Sequence, residues 1–307
     1  MAFAATLLAG CVPSGVTESP KPPERPDRAA TPPVTIPGPS AESRALEQYY
    51  ARIQNDLLAR GLLRRDGGGP DTPFDARMLR ENFVRIALFD EYTERAGTMV
   101  ARQTESRLRR WARPVKLQLT FGAMVPEAQR TRDRAALERY AARVNRATRH
   151  PIYTVGKGGN FHVLILNEDE RRAFGPKLRR LVPGVSDTVV RTVEQMPRST
   201  FCLVFAFSEV GSSDYINAVA VIRAEHPDLL RLSCLQEEVA QGLGLANDSP
   251  RARPSIFNDD EEFALLTTHD ELLLRMLYDK RFTPGMGTVE ASPIARVIAD
   301  ELVGGPS

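Results

Sequence analysis

Apolar residues recur at helical spacing over 40–63, where Leu46, Tyr50, Ile53 and Leu57 are separated by charged positions. The pattern predicts a helix there, stopped by Gly67-Gly68-Gly69-Pro70. A second helix is expected over 75–93 and a third, rich in arginine, over 98–111. The period then changes to two: Leu117, Leu119 and Phe121 share one face of a strand. Leu137, Tyr140, Ala141 and Val144 restore helical spacing over 130–147. Short strands are expected at 151–155 and 161–166, separated by a glycine turn. An irregular, partly helical insert runs to about 198. Two more strands, 201–207 and 215–224, lead into a helix over 229–245, and a last helix covers 267–279. Strand, helix, strand, strand, insert, strand, strand, helix predicts an α+β domain: a mixed five-stranded sheet covered by helices on one face, preceded by N-terminal helices.

Composition narrows the class. The chain has 307 residues, enough for a sizeable core, and a net charge of +2, which supplies no field for nucleic acid. Residues 1–11, MAFAATLLAGC, are an apolar run ending in Leu-Ala-Gly-Cys and resemble a bacterial lipobox, in which Cys11 takes lipid. No Lys or Arg precedes the run, so the signal peptide is expected to begin further upstream. Residues 12–40 hold nine of the 23 prolines, too many for a packed core, and read as a tether. The expected organisation is therefore signal 1–11, linker 12–40, helical lead-in 41–110, main domain 111–290 and C-terminal tail 291–307. A lipid anchor places the protein at the membrane, facing the periplasm. In that oxidising compartment Cys202 and Cys234 are disulfide candidates, with two buried thiols as the alternative. Closing a loop of that length is worth about 3 kcal/mol in the chain-entropy model.

The chemistry concentrates in CLQEEVAQGLGLANDS at 234–249. Glu237 and Gln241 are four apart and project from one helix face, with Glu238 beside them. Gly244 permits a sharp turn, after which Asn247 and Asp248 return. This stretch resembles the His-Glu-x-x-His-x-x-Gly-x-x-His helix of metzincin metalloproteases. The resemblance puts Glu237 and Gln241 at the first two histidine positions, Glu238 at the general base, and Asn247, followed by Asp248, at the third ligand. PSIFND at 254–259 is similar to the methionine turn, with Phe257 in the methionine's place. TTHDELLLRMLYD at 267–279 resembles the closing helix, with Thr268 and Glu271 as its capping box, and RRWARPVKLQLTF resembles the first strand. It covers roughly 111–286, and the wider sequence is similar to a bacterial lipoprotein family of unknown function, a diverged zincin branch.

Every histidine ligand is replaced, and the four histidines of the chain form no i, i+4 pair. Zinc wants imidazole or thiolate donors, whereas amide and carboxylate oxygens suit calcium or magnesium. The resemblance therefore implies a non-catalytic zincin-like domain, without a cofactor, that binds an envelope polypeptide or acts as a scaffold. An alternative is a hydrolase in which Glu237, Gln241 and Asn247 or Asp248 converge on zinc or another divalent ion, with Glu238 as base. A third reading is an ordinary amphipathic helix, with Glu237 and Glu238 solvated and Gly244 a C-cap.

Other candidates read as structural. His162 is expected to be a half-buried strand residue, His226 a surface loop residue, and His269 a helix opener that could approach the site. Asn258 to Glu262 reads as a solvated acidic loop. Arg107, Arg109, Arg110, Arg113 and Lys116 are expected to pair with nearby acids. Gly156-Lys157-Gly158-Gly159 lacks the ending of a phosphate loop, and Ser208 and Ser212 lack a nucleophile elbow.

Overall fold

A computed structural model describes residues 1, 38–95, 98–258 and 260–304. Cys11 and nearly all of the 1–40 region lie outside the described residues. Helix α1 (Ala41–Ala59) starts on Ser40, whose side chain accepts from the Ser43 amide, and α2 (Ala76–Ala87) starts on Asp75 in the same way. The helix expected over 98–111 is a correction. That region holds a two-stranded antiparallel hairpin, β1 (Phe89–Arg95) and β2 (Thr98–Glu105). β-branched and aromatic residues are frequent in both runs, and Ala96-Gly97 separates them in the sequence.

The main sheet comprises β3 (Val115–Phe121), β4 (Ile152–Thr154), β5 (Phe161–Leu166), β6 (Cys202–Ser208) and β7 (Tyr215–Arg223). Its order is β4-β3-β5-β7-β6. The first four strands are parallel and β6 is antiparallel to β7. Among the described residues, β6 is thus an edge, paired on one side only.

Both faces are covered, not one as the sequence suggested. Phe161, Val163, Ile165, Ala218, Ala220 and Ile222 pack toward α3 (Glu127–Thr148), α7 (Asp228–Leu243) and α8 (Thr268–Leu277). The alternate residues Leu164, Leu166, Val219 and Val221 pack on the insert, whose helices are α4 (Glu168–Arg172), α5 (Gly175–Leu181) and α6 (Asp187–Glu194). The apolar runs Val163 to Leu166 of β5 and Ala218 to Ile222 of β7 are what a two-sided burial demands. Each fully buried large side chain contributes roughly 1.5–3 kcal/mol. Residues 288–303, expected to lie largely in a tail, form α9 (Thr288–Val303), which buries Ala291, Ala295, Ile298 and Ala299 in the main core.

A buried ionic cluster ties the insert to the edge strand. Arg223 donates to Glu168 at 2.5 Å and to the carbonyls of Met196, Pro197 and Thr200. Those carbonyls belong to the turn that delivers the chain into β6. Arg171 is fully buried and donates to Glu168 at 2.5 Å. Burial pushes the Glu168 carboxyl up, but the two guanidiniums outweigh it and hold the group below the usual range.

Candidate functional site

Helix α7 is fixed in register along its length. Cys234 is bonded to Cys202 across a sequence separation of 32 residues. Tyr140 donates to the Gln236 carbonyl at 2.7 Å, and the Gln236 side chain accepts from Leu266 at 2.9 Å. Trp111 donates from its indole to the Gly242 carbonyl at 2.8 Å, and Tyr278 donates to the Leu243 carbonyl at 3.0 Å. Gly242 is required by contact, since a Cβ there would sit 2.4 Å from the Phe161 ring. Gly244 is required twice: its φ is +126°, and a Cβ would meet the Arg109 carbonyl at 2.2 Å. Together these contacts aim Glu237, Glu238 and Gln241 into a single cleft.

The cleft has a volume of about 670 Å³. Thr200 to Ala206 of the β6 edge form one wall, and Glu237, Glu238 and Gln241 lie along α7. The hairpin adds Asp90, Glu91 and Met99. The loop after α7 adds Asp248, Ile256, Asn258 and Glu261. Among the described lining residues, six are carboxylates (Asp90, Glu91, Glu237, Glu238, Asp248, Glu261) and one, Arg109, is cationic. That cation is engaged with Asp90 and with Ser106 at 3.0 Å.

Glu238 is 4% exposed, and its Oε2 is buried with no hydrogen-bond partner. Burial, then the like charges of Glu91 and Asp248, raise its carboxyl well above the usual range. Glu237 is half-buried and is raised as well, by burial first and then by Asp248, Glu238, Glu261 and Glu91. The burial of Glu238 excludes the solvated face that an ordinary amphipathic helix would give it.

The proposed ligand positions separate. Gln241 donates to Asp248 Oδ1 at 3.0 Å. Asn247 does not line the cleft: its amide donates to the Arg85 carbonyl at 2.8 Å, and its backbone N–H to Ile86 at 3.1 Å. Among the described residues, no three His, Cys, Asp or Glu side chains are placed to hold one ion. His269 is fully buried away from the cleft, 3.2 Å from Asn82 and edge-on to Phe74. His226, expected at the surface, is 2% exposed; it is hydrogen-bonded to the Phe201 carbonyl at 2.8 Å and packed edge-on to Tyr50. His162 is buried in β5, deeper than the half-buried position expected.

The segment in the place of a methionine turn is rigidly held. Asp270 accepts from Ser255 at 2.5 Å, from the Ile256 amide at 3.0 Å and from Thr267. Phe257 is fully buried beneath it. The capping box of α8 is Thr267 with Asp270, one residue earlier than expected. In the acidic run, Glu262 pairs with Arg64 and Arg253, while Glu261 enters the cleft. Of the arginines around Trp111, Arg109 pairs with Asp90, but Arg110 donates to the carbonyls of Leu277, Asp279 and Phe282.

Sequence reasoning missed the hairpin acids and Glu261. Asp90 and Glu91 were read inside a helix, and Glu261 inside a solvated loop. Glu261 adopts a left-handed backbone, φ 58°, which periodicity cannot reveal.

No curated protein and no solved structure matches the chain. Residues 76–297 match the family described as Protein of unknown function (DUF2927), and the chain belongs to that family.

Proposed function

We propose that the protein is a lipid-anchored envelope protein whose zincin-like domain binds an extended polypeptide without cleaving it. The observation that carries this reading is the edge strand β6, unpaired on its outer side, running along a cleft floored by α7. An extended peptide placed there adds a sixth strand and satisfies the edge amides and carbonyls. The arrangement of an antiparallel edge strand over a helix bearing Glu237, Glu238 and Gln241, followed by a turn at Gly244, supports the zincin-like reading.

The residues do not fit zinc. Asn247 is turned onto Arg85, and Gln241 and Asp248 are occupied with each other. The remaining donors are carboxylates and amides, a set that zinc disfavours. No hydrolytic step is therefore assigned to Glu238.

The disulfide supports an oxidising compartment, in keeping with lipidation at Cys11. No helix among the described residues is long and apolar enough to cross a membrane, so attachment in this reading depends on the lipid.

The test is to pan a random peptide library against the full chain and map a recovered binder by hydrogen exchange. Protection concentrated at 202–208 is expected. A binder that leaves β6 exchange unchanged sinks strand addition, and peptide cleavage by the purified chain sinks the non-catalytic reading.

A further inference from the structure

Glu238, which lines the cleft, keeps a buried carboxylate oxygen without a partner. A carboxylate in that position is expensive unless something cationic reaches it. Among the described residues, Glu91 and Asp248 are the charges that act on it, and both are of the same sign. The only cation among the described lining residues, Arg109, is held by Asp90 and Ser106. The site therefore gathers carboxyl groups beside an edge strand, and a bound cation would favour their ionised form.

A compact metal ion is a poor complement, because the carboxylates do not converge on a point among the described residues. A guanidinium is a better one. It is planar, spreads its charge over several donors, and can bond two separated carboxylates at once.

Resting on the peptide-binding reading above, we propose that this part of the cleft is a specificity pocket for a basic side chain, arginine above all. The polypeptide lies along β6, and Glu237 and Glu238 receive that side chain. Its aliphatic stem lies against apolar residues that line the same cleft, Ala246 and Ile256.

The experiment compares three probes by calorimetry on the full chain. The first is the capped hexapeptide acetyl-Val-Thr-Val-Arg-Val-Thr-amide. The second carries neutral citrulline in place of arginine. The third is agmatine, a guanidinium on a four-carbon stem that ends in an ammonium. Charge-assisted hydrogen bonds of this kind predict that the arginine peptide binds about ten- to a hundredfold more tightly than the citrulline peptide. Glu238→Gln and, separately, Glu237→Gln should each shrink that ratio.

Equal affinity of the two peptides, with both protecting β6, overturns the basic pocket and leaves strand addition standing. Agmatine binding that Glu238→Gln weakens, without any peptide preference for β6, keeps the pocket and overturns strand addition. Failure of all three probes overturns both. Stoichiometric binding of calcium that displaces agmatine overturns the assignment to an organic cation.

Discussion

The Gln241 side chain donates to Asp248 Oδ1 at 3.0 Å, across the turn that Gly244 makes between them. Two residues that a zincin pattern would place around an ion thus bind each other. Asn247, between them and the turn, spends its amide on the Arg85 carbonyl. The loop is held by hydrogen bonds of its own, and none of them needs a metal.

Restoring histidines should consequently fail to restore a zinc enzyme. In the double variant Glu237→His/Gln241→His, two imidazoles face the cleft without a third strong ligand. Zinc loaded onto the variant is expected to leave on desalting against a weak chelator. Retention of one zinc per chain would show that the Asn247 loop can re-form around an ion.

Glu238→Gln should stabilise the protein at neutral and alkaline pH, by about 1–3 kcal/mol, the cost of a buried unsatisfied group. The sign follows from linkage. The folded-state pKa of Glu238 is raised above its ordinary 4.5, so the carboxylate opposes folding at high pH, and that cost fades as pH falls toward 4.5. Urea midpoints of wild type and variant should therefore converge from pH 8 down to about pH 4.5. Parallel curves would mean that Glu238 already has a partner.

Much of the sheet was legible because β5 and β7 carry long, mostly apolar runs, Val163 to Leu166 and Ala218 to Ile222, which two-sided burial explains. Helix α7 was legible for a similar reason. Leu235, Val239 and Leu243 lie on its inward face, and the glycine after them ends it. The hairpin was not legible, since Thr98 to Glu105 mixes charges with apolar residues at no clean period. The cleft's full charge was hidden as well. Asp90 and Glu91 reach it only because the hairpin folds over, and Glu261 only because the loop after Phe257 turns back. His226 was misjudged because Pro227 beside it suggested a surface turn. Its burial depends on Tyr50 of α1, which lies far away in sequence.

That burial makes His226 an acid-labile point. Its pKa is lowered to about 3, first by burial and then by the nearby Arg223 and Arg231 guanidiniums. The unfolded chain takes up a proton near pH 6.5 and the folded chain does not. The stability contributed above pH 6.5 is therefore lost progressively down to about pH 3, at about 1.4 kcal/mol per pH unit. His226→Leu abandons the Phe201 carbonyl and should be less stable at pH 7, yet the gap to wild type should close on acidification. A constant gap from pH 7 to pH 4 would show that His226 protonates in the folded state.

The disulfide joins the cleft's edge strand to its floor, because Cys202 opens β6 and Cys234 lies in α7. Its removal should act in two ways. The unfolded chain regains the freedom of a loop about 32 residues long, which costs roughly 3–4 kcal/mol of stability. The edge strand also loses its covalent anchor to the helix carrying Glu237 and Glu238. The tie to α7 then rests on the sheet pairing with β7, while Trp111 and Tyr278 still hold the far end of the helix. Cys202→Ala/Cys234→Ala is therefore expected to remain folded, with a lower denaturant midpoint and with faster hydrogen exchange at 202–208 than at β5. If exchange rises equally across the sheet, the bond acts only through the unfolded chain. If the midpoint does not fall at all, the two thiols are unbonded in the native protein.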